Sequence, residues 1–216
     1  MNLQQTLDQS GFVIIENVGL ENPNEALHDT ITSISEPISY LGLPLVMDLK
    51  PQPGFQPASF AGTGVFDLHT DLSWHEKPPK YLGMFCVMPE SAGGGIPLLA
   101  DGWQALAQMD PADVQFLRSE AVSFPPPSHI DYAPLSGPIV SGQDDQPFIR
   151  FRYDMLTDPP PPVSRFNQAI NDCRFEVRVP PGTIYLFDNY RMLHGRTGLA
   201  AGMNSDRHYK RIYGDV

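Results

Sequence analysis

The chain has 216 residues, 41% of them apolar and 18% charged, enough apolar material to bury a core and too much for intrinsic disorder. Its net charge of −11, from 25 acidic and 14 basic residues, gives no basic excess to neutralise a phosphate backbone, so nucleic acid is not the expected partner. No long apolar run offers a membrane span, residues 1–12 lack the basic head and apolar stretch of a leader, and Cys86 and Cys173 are too few for a disulfide framework or a thiolate metal cage. The expectation is one soluble, reduced, cytoplasmic domain over residues 1–216.

The 23 prolines and 18 glycines cut the chain into many short segments, the pattern of a mainly β fold with inserted helices. Residues 11–18 (GFVIIENV) alternate as an opening strand, with Phe12, Ile14 and Glu16 on one face. Ile31 and Ile34 predict a short helix within Leu27 to Ile38, stopping before Pro37. Leu41 to Phe60 has no period and reads as a surface loop. Val65 to Ser73 reads as a strand, and Tyr81 to Met88 as a buried one. A turn at Gly93, Gly94 and Gly95 precedes the apolar run Pro97 to Ala100. A helix is expected from Asp101 to Met109, and a second is capped by Asp110 with Pro111 at its first position.

Phe124 to Gly142 is turn-rich, and Pro147 to Tyr153 alternates as a strand. Ser164 is the expected cap of a helix carrying Phe166, Ala169, Ile170 and Cys173 on one face. Phe175, Val177 and Val179 alternate. Pro181-Gly182 turns the chain into a strand from Thr183 to Phe187, and Arg207 to Tyr213 alternates at the end. No period of about 20–50 residues recurs, which excludes a repeat architecture.

Three features carry chemistry. His69 and Asp71 flank Thr70; on a strand, residues two apart project to one face, so an imidazole and a carboxylate would share a space. That is two-thirds of a facial triad for non-haem iron, although a lone His-x-Asp is also what a surface or capping histidine looks like. His194 lies in DNYRMLHGRTG, residues 188–198, after an apolar strand and amid Asp188, Asn189, Arg191 and Arg196; such polar density calls for a network or a site. Arg207 and Arg211 share a strand face with Tyr209, either as a solvated face or as a clamp for a dicarboxylate.

In that order, these segments resemble the iron(II)/2-oxoglutarate dioxygenases of the taurine dioxygenase, γ-butyrobetaine hydroxylase and clavaminate synthase-like group. The resemblance runs through GFVIIENV, FDLHTDLSWHEKPPKYLGMFC, GGGIPLLADGWQAL and DNYRMLHGRTG. It implies a double-stranded β-helix, a jelly-roll or cupin-like barrel with the metal in its mouth. It implies His69, Asp71 and His194 as iron(II) ligands, Arg207 on the distal carboxylate of 2-oxoglutarate, and Arg211 near the carboxylate beside the keto group. The implied reaction uses O2, releases succinate and CO2, and hydroxylates, desaturates or cyclises at an unactivated C–H of a small polar molecule such as an amino acid or derivative.

Two departures stand out. Pro97 occupies the place where the family carries a Thr or Ser that hydrogen-bonds the distal carboxylate, and the stretch from His194 to Arg207 is a few residues longer than in γ-butyrobetaine hydroxylase-like sequences. Asp71 disfavours the halogenating branch, which has a small residue there. Ser73, Trp74, His75, Arg152 and Asp154, with Arg150 nearby, are the candidate substrate contacts; a salt-bridged surface strand is the alternative for the last three. Two other functions stay open: a cupin-like metal-dependent isomerase or hydrolase using the three ligands without the Arg pair, and a non-catalytic small-molecule-binding relative, which Pro97 would suit.

Overall fold

A strand whose alternate residues are apolar on both faces must be covered on both faces, and Tyr81–Met88 is such a strand. Leu82, Met84 and Cys86 face one hydrophobic cluster while Tyr81 and Phe85 face another, and all five are buried. The computed structural model describes residues 2–128, 130–143 and 146–215. Its elements are α1 (Leu3–Ser10), β1 (Phe12–Ile15), α2 (Pro23–Thr32), β2 (Glu36–Ile38), β3 (Val46–Leu49), β4 (Phe66–His69), β5 (Tyr81–Met88), β6 (Pro97–Asp101), α3 (Gly102–Ala107) and α4 (Pro111–Ser119). There follow β7 (Val122–Phe124), β8 (Leu135–Gly137), β9 (Val140–Gln143), β10 (Gln146–Ile149), α5 (Pro161–Asp172), β11 (Phe175–Glu176), β12 (Thr183–Asp188), β13 (Met192–Arg196) and β14 (His208–Asp215).

The larger sheet has the order β1-β12-β5-β14-β2, with β3 also paired to β14. The smaller has the order β11-β6-β13-β4. Every pairing within both is antiparallel. Their facing sides share one core of Leu82, Met84, Leu99, Phe187, Met192 and Tyr209. Helices α1 and α2 cover the outer face of the larger sheet through Leu7, Leu27 and Ile31. Helices α3, α4 and α5 cover the smaller one through Leu106, Leu117, Phe166 and Ile170. Each fully buried Leu, Ile or Phe contributes about 1.5–3 kcal/mol of transfer free energy. This is the mainly β, helix-decorated architecture expected from the sequence. Among the described residues, no helix is long and apolar enough to cross a membrane.

Several boundaries move for identifiable reasons. Helix α1 is not visible in the pattern because Leu7 is its one buried residue; an Asn2 cap and the left-handed Gly11 (φ 77°) define its ends. Helix α2 begins at Pro23, the favoured first position, rather than at Leu27, and residues 36–38 join the sheet edge instead of continuing it. The expected loop from Leu41 to Phe60 contains β3, whose partner β14 is remote in sequence, and the turn-rich stretch after Phe124 contains β8 and the start of β9, which pair with the nearby β7 and β10. The strand expected from Pro147 to Tyr153 ends at Ile149, and Tyr153–Met155 is a single 3-10 turn. Ser164 does not cap α5: the chain enters at Pro160, and the Ser164 hydroxyl meets that of Tyr153 at 3.1 Å. Val177 and Val179 lie beyond the two-residue β11 yet are buried as their alternation implied. Asp110 caps α4 as expected, while Asp101 is the cap of α3 rather than its first residue and α3 ends at Ala107, short of Met109; both aspartates accept backbone N–H bonds.

One close approach sets the distance between β4 and β13. A Cβ on Gly195 would collide with the Phe66 carbonyl oxygen and lie 3.0 Å from the Asp67 carbonyl, so only glycine lets the two backbones meet there. Gly195→Ala is therefore expected to destabilise the fold by about 1–3 kcal/mol, read as a lowered urea midpoint. An unchanged midpoint would show that β4 can yield.

Candidate active site

The β4–β13 pairing puts His69 directly across from His194, with ring centroids 4.3 Å apart. Strand β4 stops at His69. Beyond it the Thr70 amide donates to the Phe151 carbonyl at 2.8 Å and its hydroxyl to the Ile149 carbonyl at 2.8 Å. Asp71 is consequently not on a strand face, as the i, i+2 argument supposed, but in the turn that follows, next to Leu72 in a left-handed conformation (φ 54°). It still reaches the same space because Asn189 grips its backbone: the Asp71 amide donates to Asn189 Oδ1 at 2.9 Å, and Asn189 Nδ2 donates to the Asp71 carbonyl at 3.2 Å and the Pro79 carbonyl at 2.9 Å. Asn189 is the positioning residue that sequence reasoning missed; its signal was the polar density around residues 188–196.

The other members of that density are structural. Lys80 pairs with Asp188 at 2.5 Å, and Arg191 with Asp101 at 2.6 Å. Buried Arg196 donates to the carbonyls of Ser59, Gly62, Gly64 and Thr197. This cage ties the segment before β4 to the end of β13.

Strand β14 alternates as read. His208 and Lys210 point outward to Asp48, while Arg207, Tyr209, Arg211 and Tyr213 are buried. The two inward guanidiniums differ. Arg211 Nη1 donates to Asp71 Oδ2 at 2.7 Å, and the Tyr213 hydroxyl donates to the same oxygen at 2.9 Å. Arg207 lies flat against the Tyr209 ring, 4.1 Å from its centroid, and donates Nε to the Gly95 carbonyl at 3.3 Å.

The remaining candidates divide between core and mouth. Trp74 is 3% exposed and packed in the core under α3 and α5, so it is built as a core residue. Ser73 is buried, with its carbonyl accepting from Arg150 at 2.6 Å; Arg150 also binds the carbonyls of His75 and Glu76 and so clamps this loop. The His75 ring sits between Tyr40 and Tyr132. Arg152 forms a two-point pair with Asp154 at 3.1 and 3.2 Å, bridges to His69 through the backbone, and covers the Phe66 ring.

Electrostatics set the protonation states. Burial, then the charge of Arg152, pushes His69 down to about 4. Burial and His69 push His194 well below the ordinary histidine range. Burial opposes the charge on Asp71, but the Arg211 guanidinium and the two histidines, helped by the Tyr213 hydroxyl, hold its carboxyl well below the usual carboxylate range. The site therefore offers two neutral imidazoles and an ionised carboxylate, the forms a divalent first-row ion binds. The Asp67 carbonyl lies 2.7 Å from His69 Nδ1, which leaves Nε2 as the free nitrogen. His194 Nδ1 is buried without a hydrogen-bond partner among the described residues, an orphan that protein interiors avoid unless a ligand satisfies the ring. Among the described residues, no group of three His, Cys, Asp or Glu side chains stands arranged to hold a metal ion as it is. The Asp71 carboxylate is turned to Arg211 and Tyr213 through Oδ2, while Oδ1 meets the Leu72 amide at 3.1 Å and keeps lone-pair capacity. In donor chemistry the residues fit iron(II).

Known proteins are similar to this chain along most of its length. It is 27% identical over 175 residues to gamma-butyrobetaine dioxygenase of Homo sapiens, covering 71% of this chain and 45% of that protein. It is 24% identical over 183 residues to clavaminate synthase 2 of Streptomyces clavuligerus, covering 77% and 55%. The chain thus spans about half the length of the curated relatives it matches. A crystal structure of asparagine oxygenase with Fe(II), 2S,3S-3-hydroxyasparagine and succinate superposes with a TM-score of 0.85 at 18% identity, covering 98% of this chain and 78% of that one; it shows the same fold. The family model for "Taurine catabolism dioxygenase TauD, TfdA family" matches residues 2–213, and the chain belongs to that family.

Proposed function

We propose that the protein is an iron(II)- and 2-oxoglutarate-dependent oxygenase that hydroxylates an unactivated C–H bond of a small polar molecule, an amino acid or a derivative of one. The observation that carries the reading is the cross-strand pair of neutral imidazoles, 4.3 Å apart, beside a carboxylate kept ionised. In this reading His69, His194 and Asp71 hold the ferrous ion. Iron held there would activate O2 as the oxidant with 2-oxoglutarate as the co-reductant, giving succinate and CO2 as coproducts.

The chain's own residues supply the rest. His69, fixed by the Asp67 carbonyl, presents one nitrogen in one tautomer. Arg211 and Tyr213 keep Asp71 charged and oriented, and Asn189 holds its backbone in reach. Arg207 takes the distal carboxylate of 2-oxoglutarate, because it is the buried guanidinium at the start of β14 that pairs with no acid among the described residues. Arg211 remains near the carboxylate beside the keto group, but it is already paired with Asp71. Phe66 and Phe187 pack against the two imidazoles and exclude water. Around the mouth, Arg152, Asp154 and His75 offer both charges to a zwitterion, in keeping with the hydroxyasparagine bound by the asparagine oxygenase. A reduced cytoplasmic setting would suit both the ferrous ion and the free thiols of Cys86 and Cys173.

His69→Ala and Asp71→Ala are each expected to abolish iron-dependent succinate formation with native circular dichroism at about 25 °C, Asp71→Ala with a lowered urea midpoint because it leaves Arg211 unpaired; turnover retained in both would contradict the assignment. Arg207→Ala should raise the 2-oxoglutarate concentration for half-maximal rate by tenfold or more, with little change for the second substrate, and an unchanged requirement would move the role elsewhere. Asn189→Ala should weaken ferrous binding at least tenfold in an anaerobic titration by freeing the Asp71 backbone; wild-type affinity would show that Arg211 and Tyr213 suffice. Succinate formation itself separates this reaction from an isomerase or hydrolase, which makes none.

A further inference from the structure

Resting on the assignment of Arg207 to the distal carboxylate of 2-oxoglutarate, we propose that the Tyr185 hydroxyl is the second donor to that carboxylate, in place of the side-chain hydroxyl that Pro97 cannot supply. Pro97 pairs with Arg196 in the β6–β13 ladder and lies on the inward face shared by Leu99 and His194, so the position points into the barrel with no donor of its own. An Arg alone can grip a carboxylate at two points, but a buried carboxylate has about four acceptor sites to satisfy.

The inner wall opposite narrows the choice of donor. The Tyr213 hydroxyl is spent on Asp71, and the Tyr209 ring is already occupied as the face on which Arg207 lies. The Thr197 side chain is tethered to the β6 edge, where its hydroxyl accepts from the Ile96 amide at 2.9 Å and keeps its own O–H. Tyr185 is left. It lies on the inward face of β12 with Phe187, is 3% exposed, and meets the Tyr209 ring edge-on with centroids 6.4 Å apart. Arg207 lies over that same Tyr209 ring at 4.1 Å, so Tyr185 and Arg207 border one corner of the interior. The Arg207 charge acts on the Tyr185 hydroxyl, although burial outweighs it and pushes the phenol's ionisation upward; at neutral pH Tyr185 is a donor. An independent sign comes from Thr183, two residues earlier on the same face and directly across from Cys86. Its hydroxyl is fully buried with no partner among the described residues, so this corner is short of hydrogen-bond partners.

The test is anaerobic calorimetric titration of the ferrous protein with 2-oxoglutarate and, separately, with oxalate, which chelates iron but lacks the distal carboxylate. Tyr185→Phe keeps the ring and removes the donor. It is expected to weaken 2-oxoglutarate binding by about tenfold or more and to leave oxalate binding unchanged. Adding Pro97→Thr to Tyr185→Phe should restore most of the loss. Three results would overturn the proposal: wild-type 2-oxoglutarate affinity in Tyr185→Phe, equal weakening of both ligands, or a loss confined to Thr183→Val. A wild-type protein that binds oxalate but no 2-oxoglutarate would overturn the oxygenase reading and this one with it, whereas wild-type binding with no loss in Tyr185→Phe overturns this one alone.

Discussion

The site depends on keeping a carboxylate charged inside a largely apolar barrel. Asp71 and Arg211 have side chains only 13% and 9% exposed. Desolvating two ions costs several kcal/mol each, and the pair persists because each charge has specific partners. Arg211 is bonded to Asp71, stacked on Tyr213 and touching Met47. Asp71 gathers Arg211, Tyr213, its neighbour's amide and the Asn189 side chain. Removing one partner would leave an unpaired buried charge, at a cost of about 3–5 kcal/mol. The histidines solve the same problem differently: burial keeps them neutral, so they can lie side by side without repulsion.

The fold makes this possible by dividing labour between its two sheets. The smaller sheet delivers both imidazoles through one cross-strand register, sharpened by Gly195, so the separation of the donors is a backbone property. The larger sheet supplies the cationic and aromatic wall through the inward face of β14 and the neighbouring face of β12. Asp71 stands between them, outside regular structure, and is held by Asn189 from the β12–β13 turn. A loop carboxylate on rigid strands is a common way to place a functional group, since the loop adapts while the scaffold fixes its ends.

Much of this was legible in the residues. The apolar β5 and the alternation of Arg207, Tyr209 and Arg211 follow from local pattern, whereas the grouping of His69, Asp71 and His194 rests on the family resemblance. What was not legible depends on long-range pairing or on a single backbone angle. The i, i+2 rule assumed a strand running through Asp71, but β4 ends at His69, and the left-handed Leu72 redirects the chain. Strands β2 and β3 gain their identity from the edge of β14, which no window of their own sequence encodes. Trp74 reads as a contact from its neighbours His69 and Asp71, but the turn swings it into the core beneath α3 and α5. The Asp71–Arg211 pair joins residues 140 positions apart and could only be seen folded.

The most direct measurement is a crystal structure of protein loaded anaerobically with iron(II), read by the anomalous signal of the metal. The account predicts one iron peak with His69, Asp71 and His194 donors each at about 2.0–2.2 Å, by analogy with other divalent first-row ions. Iron bound elsewhere, or a site in which Asp71 stays with Arg211 and Tyr213 and contributes no oxygen to the metal, would contradict it.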